Sequence, residues 1–166
     1  QVPSNVQTAY YNALVIVYQQ RQVNVIALLT QLADLLTTAI SSNLLSDANK
    51  TAMQAYVANL GIIIQINNLL VTTDYQACLQ AHIALLGQVQ TQTFTPDIQN
   101  MYAQAIMQAF NQRANKALTL LEMLSTCLKQ AQVTPLLGAS QQAFVKKLIS
   151  VLTIEIMITA ALQQPD

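Results

Sequence analysis

A single register, kept without a gap, constrains this chain more than any other feature. Shifted by 92 residues, Val6-Gln7-Thr8-Ala9-Tyr10 falls on Ile98-Gln99-Asn100-Met101-Tyr102, and Ala13 meets Ala105. Further on, Tyr18 meets Phe110 and Gln20-Arg21 meets Gln112-Arg113. Leu28, Leu29, Leu32 and Leu36 then meet Leu120, Leu121, Leu124 and Leu128. Near the ends, Leu60, Ile62, Ile64, Ile66 and Leu70 match Leu152, Ile154, Ile156, Ile158 and Leu162. Helical sequences of biased composition yield chance matches, but one register through two helices and their connection is hard to reach by accident. The sequence predicts an internal duplication, with repeats over 4–72 and 96–164 and a bridging helix within 73–92. Together they form a single helical domain over 1–166.

Each copy reads as a long helix, a turn and a second helix. Ser4 is placed to cap a helix with apolar positions Val6, Tyr10, Ala13, Val17, Leu28, Leu32, Leu35 and Ala39, the spacing of one helical face. The second copy offers Thr95-Pro96-Asp97, a cap, a proline at the first helical position and an acid in the first turn. Its stripe is Ile98, Tyr102, Ala105, Ala109, Leu120, Leu124, Cys127 and Ala131. The second helix of the first copy starts near Ser46-Asp47 and reaches Val71, with Gly61 inside. That of the second copy is capped by Ser140 and reaches Leu162. Thr73 or Asp74 opens the bridge, which stops near Gly87. No stretch alternates as a strand does. The expected fold is all-α, a bundle of five to seven helices.

Composition narrows the function classes. Hydrophobic residues make up 53 % and charged residues 8 %, with a formal charge of zero and a mean hydropathy of +0.36. The polar faces are written in Gln, Asn, Thr and Ser. Without clustered Lys and Arg, nucleic acid is not an expected partner, whereas weak charge repulsion favours self-association into a homo-oligomer. The most apolar run, Leu148 to Leu162, is interrupted by Glu155 and falls short of the roughly 20 residues a membrane span needs. It reads as a helix buried in the bundle, and no transmembrane segment is expected. Gln1 at the start and the Asn49-Lys50-Thr51 sequon suggest a secreted, extracellular glycoprotein.

Both long helices carry a polar interruption, Gln19-Gln20-Arg21-Gln22 and Asn111-Gln112-Arg113. If straight, each helix would run about 55 Å. Three readings stand together. The helices kink or break there and the arginines reach solvent along their stems. Or Arg21 or Arg113 pairs with Glu155, a carboxylate in an apolar stretch that needs a partner if buried. Or the guanidinium groups hold the head group of an acidic amphiphile, its tail between helices. The candidate ligand residues are Arg21, Arg113, Gln20, Gln112, Tyr10 and Tyr102.

Two cysteines in a secreted chain suggest a Cys78–Cys127 disulfide. Straight antiparallel helices would offset them by roughly 24 Å, against the limit of about 7 Å between bridged Cα atoms. The bridge therefore requires the second long helix to bend back between Asn111 and Lys116. His82 is expected as a hydrogen-bonded core histidine. With the two cysteines it makes three potential ligands where structural zinc wants four, so neither metal nor cofactor is expected.

The sequence has no Gly-rich phosphate loop, no Gly-x-Ser-x-Gly and no His-Glu-x-x-His. It reads as non-enzymatic: a secreted carrier or sequestrant of a lipid-like hydrophobic small molecule held between helices. The aliphatic excess and Met101, Met107, Met123 and Met157 support that reading. The alternative is a self-associating structural or surface-active secreted protein.

Overall fold

The structure, a computed structural model, describes residues 2–164; Gln1, read as a processed start, lies outside them. Among the described residues all regular structure is helical: α1 (Ser4–Gln19), α2 (Ile26–Ile40), α3 (Asp47–Val71), α4 (Tyr75–Gln88), α5 (Pro96–Asn111), α6 (Leu118–Ala131) and α7 (Ala139–Leu162). The chain divides into two compact units, Gln1–Asn67 and Asn68–Asp166. The division falls inside α3, and the bridging helix α4 belongs to the second unit. There α6 packs against α7 and α4, and α5 packs against α4 and α6. The helices that begin at Ser4, Ile26 and Asp47 have counterparts beginning 92 residues later at Pro96, Leu118 and Ala139.

Both long helices break at the polar interruption. At the end of α1 the N–H of Gln20 returns to the Ile16 carbonyl at 3.0 Å and that of Arg21 to Tyr18 at 3.2 Å. At the end of α5, Gln112 returns to Gln108 at 3.0 Å and Arg113 to Phe110 at 3.2 Å. The last turn tightens, leaving carbonyls without helical donors. A guanidinium is well suited to them, because it donates hydrogen bonds and complements the negative end of the helix dipole. Arg21 Nη1 donates to the Tyr18 carbonyl at 3.1 Å, and Arg113 Nη1 to the Phe110 carbonyl at 2.9 Å. The second corner then turns through Asn115 at φ 63°, a left-handed conformation that Asn tolerates better than most side chains.

Several caps lie where the sequence places them. The Ser46 hydroxyl accepts the Asn49 N–H at 3.2 Å, and Asp74 accepts that of Ala77 at 2.9 Å. Others differ. Ser4 is already helical after Pro3, and the Thr95 hydroxyl turns to Asp97 instead of the backbone. α7 starts before Ser140: Gly138 is its N-cap, with its N–H donated to Gln141 Oε1 at 2.8 Å.

Burial corrects the expected faces. In α5 and α6 most of the predicted stripe is inside: Ile98, Tyr102, Ala105, Ala109, Leu124, Cys127 and Ala131 are buried, and Leu120 is half-buried. In α1 and α2 only Leu32 and Ala39 of the predicted stripe are buried, joined by Leu14, Tyr18, Leu29 and Leu36, while Val6, Val17, Leu28 and Leu35 are exposed. A neighbour makes the difference in the second unit, where α4 covers α5 and α6. α7 is also less buried than its composition suggests, since Val151, Ile154, Met157, Ile158 and Leu162 face solvent. Among the described residues the one helix long and apolar enough to cross a membrane is α3. A core helix meets the same criterion, and Met53, Leu60, Ile63 and Ile66 of α3 are fully buried.

Candidate functional site

The two arginine corners share their stacking as well as their caps. The Arg21 guanidinium carbon lies 4.3 Å from the centre of the Tyr18 ring, and that of Arg113 lies 3.7 Å from the Phe110 ring. A cation held over an aromatic face gains electrostatically from the ring quadrupole. Each arginine is thereby fixed to its own helix end.

What completes them differs. Arg113 Nε and Nη2 donate to the two Glu155 carboxylate oxygens, both at 2.7 Å. This bidentate pair holds the Glu155 carboxyl below its ordinary range and raises Arg113. Glu155 is only half-buried, with a side chain 37 % exposed, so it is not the buried carboxylate the sequence suggested. Among the described residues Arg21 has no carboxylate within ion-pair distance. Its Nε is buried and has no hydrogen-bond acceptor among the described residues. The residue 92 positions before Glu155 is Ile63, which is fully buried.

Arg21 lines an open groove of about 480 Å³ between the end of α1 and the face of α2. Val17, Leu28, Leu29, Leu32 and Leu35 supply its apolar wall, and Gln20, Gln22 and Gln31 its polar rim. The volume is in the range of small-molecule sites, roughly 300–1,000 Å³. The corner is braced from α3. The Tyr56 ring stacks on Tyr18 with centroids 4.1 Å apart, the Asn59 amide donates to the Tyr18 hydroxyl, and Asn67 Nδ2 donates to the Val23 carbonyl at 2.8 Å.

In the second unit the corresponding face is closed. Val17 and Leu35 correspond to Ala109 and Cys127, both buried. The Tyr75 hydroxyl, at the start of α4, donates to the Ala109 carbonyl at 2.6 Å, and burial pushes its pKa up to about 12. On its α7 side Arg113 borders another groove of about 580 Å³, together with Lys116 and Glu155. Near the end of α4, a groove of about 490 Å³ has no charged side chain in its lining.

The remaining candidates separate. Gln20 is exposed at the groove and Gln112 is exposed at its own corner. Tyr10 is half-buried, whereas its counterpart Tyr102 is fully buried. The Tyr102 hydroxyl shares a hydrogen bond with His82 Nδ1 at 3.0 Å. His82 is fully buried with Nε2 unpartnered, and desolvation lowers it to about 4. The expected disulfide is not formed: Cys78 and Cys127 are free, buried thiols. The bend required to bring the two regions together is present, yet the Cys78 thiol donates to the Leu69 carbonyl at 3.5 Å. Burial and the nearby Cys78 push Cys127 up to about 12, which keeps it a thiol, the unreactive form. Among the described residues no three His, Cys, Asp or Glu side chains converge to hold a metal ion. Asn49 lies half-buried on the first turn of α3.

The signal that distinguishes the corners is in the sequence as Ile63 against Glu155, 92 residues apart. Compared with protein-family models, curated proteins and solved structures, the chain matches none.

Proposed function

We propose that this chain is a secreted, non-enzymatic carrier or sequestrant of a lipid-like small molecule, and that the α1–α2 groove receives it. One observation carries the reading. An apolar groove of about 480 Å³ stands open beside an arginine with no carboxylate partner among the described residues. Apolar walls with a few polar groups at one end suit a molecule with a tail and a head. The site narrows to Arg21 and Gln20 with the leucines of α2. The test is native mass spectrometry and organic extraction of protein purified from its natural source. A co-purifying amphiphile, released on unfolding, is the expected result. A ligand-free protein that also fails to take up anilinonaphthalene sulfonate contradicts it.

A second reading, self-association or adsorption at an interface, is favoured by the exposed apolar side chains of α7, above all Ile154, Met157 and Leu162. Apolar surface of that kind is removed from water when copies associate. Sedimentation across a concentration series separates the two, because a carrier stays at one size while an assembling protein grows.

A further inference from the structure

We propose that the α1–α2 groove selects amphiphiles with a carboxylate head, that Arg21 is the anchor, and that each chain holds one such ligand. This rests on the carrier reading and makes it specific. The second unit shows how an arginine at this corner is completed. Nη1 caps its own helix, while the Nε and Nη2 edge takes both oxygens of a carboxylate at 2.7 Å. Arg21 uses Nη1 in the same way, on the Tyr18 carbonyl. Its Nε has no acceptor among the described residues, and Ile63 stands where the repeat would supply an acid.

A buried donor without an acceptor is costly, and a planar carboxylate is the group whose geometry matches that edge of a guanidinium. Nε is closed to solvent in the free protein, so a carboxylate gains it only as the guanidinium turns toward the groove. Its tail then lies along Val17, Leu28 and Leu35, the positions left exposed in α1 and α2. Their counterparts offer no second seat, because Ala109 and Cys127 are buried under α4 and Arg113 already holds Glu155.

Calorimetric titration of the full chain with dodecanoate, dodecanol and methyl dodecanoate at neutral pH tests this. One dodecanoate per chain is expected, bound about tenfold or more tighter than the uncharged analogues, as a charge-assisted bidentate contact implies. Arg21→Gln should abolish that preference and Arg113→Gln should preserve it. Equal affinity for acid, alcohol and ester overturns the carboxylate anchor while leaving the carrier reading standing. No binding of any of the three overturns the carrier reading itself. Two acids per chain, or a preference lost with Arg113→Gln and kept with Arg21→Gln, overturns the assignment to this corner. Should Arg21→Gln fail to fold by circular dichroism, the ratio of acid to alcohol affinity on the unaltered protein still decides.

Discussion

The corner after α1 and the corner after α5 begin as the same piece of chemistry. In both, a helix ends on a tightened turn, an arginine caps the carbonyl three residues back, and its guanidinium lies over an aromatic ring. They part at the third interaction. The second corner is neutralised by Glu155 and its neighbouring face is covered by α4. The first has Ile63 at the position 92 residues before that acid, and its Val17, Leu28 and Leu35 are exposed. Where two regions share a backbone solution, the group missing from one is legible in the other. That contrast, more than the size of the groove, is the ground of the proposed ligand site.

The strongest way to break the comparison is to remove matching aromatics. Tyr102→Ala takes a fully buried ring out of the second unit and should destabilise by about 3–5 kcal/mol. Tyr10→Ala, at the half-buried counterpart, should cost about 1 kcal/mol or less. Urea denaturation of both variants checks this, and similar losses would show that the first face is covered after all.

Acid should separate the units next, because only the second contains a histidine. His82 falls to about 4 from 6.5 on burial. Between those values the unfolded chain binds a proton that the folded chain excludes. The contribution is therefore complete above pH 6.5 and lost as pH falls through about 4, some 3 kcal/mol in all. Stability measured against pH should show this slope, and His82→Gln should remove it.

A smaller effect sharpens the account of the arginines. Glu155→Gln should cost about 1 kcal/mol at low salt and less at high salt, as expected for a part-exposed pair. Arg21→Gln should cost less, because it deletes no ion pair. Thermal melts at two salt concentrations measure both. The reverse order would place an acid at Arg21. The thiols give the last check. Both cysteines are buried, and burial raises both thiols. Alkylation should therefore follow unfolding, and modification of the folded protein within minutes would contradict their placement.

Much of the fold is readable from local chemistry. Pro96, Ser46 and Asp74 mark helix starts because a first-turn proline and capping side chains act within one turn, and Arg21 and Arg113 mark the breaks because they interrupt matching stripes. What the residues alone do not convey is which stripe is covered. Val6, Val17 and Leu35 carry the period of a core face, and so do Ile98, Ala109 and Cys127. The first set is exposed and the second buried, because burial depends on neighbours, among them α4 in the second unit, that periodicity does not record. The disulfide fails for a related reason. Composition suggested a bridge between Cys78 and Cys127, but sulfur geometry is set by the packing of α4 on α6. Of the candidate site, Arg21 and Gln20 emerge at a groove, while Tyr102 and Arg113 already have protein partners.

The most direct measurement is a nitrogen-15 correlation spectrum of the arginine Nε–H groups during titration with dodecanoate. The account predicts that the Arg21 signal moves and becomes protected from exchange with solvent, while Arg113, held by Glu155, stays in place. Perturbation centred on Arg113, or dodecanoate bound with the Arg21 signal unmoved, would contradict it.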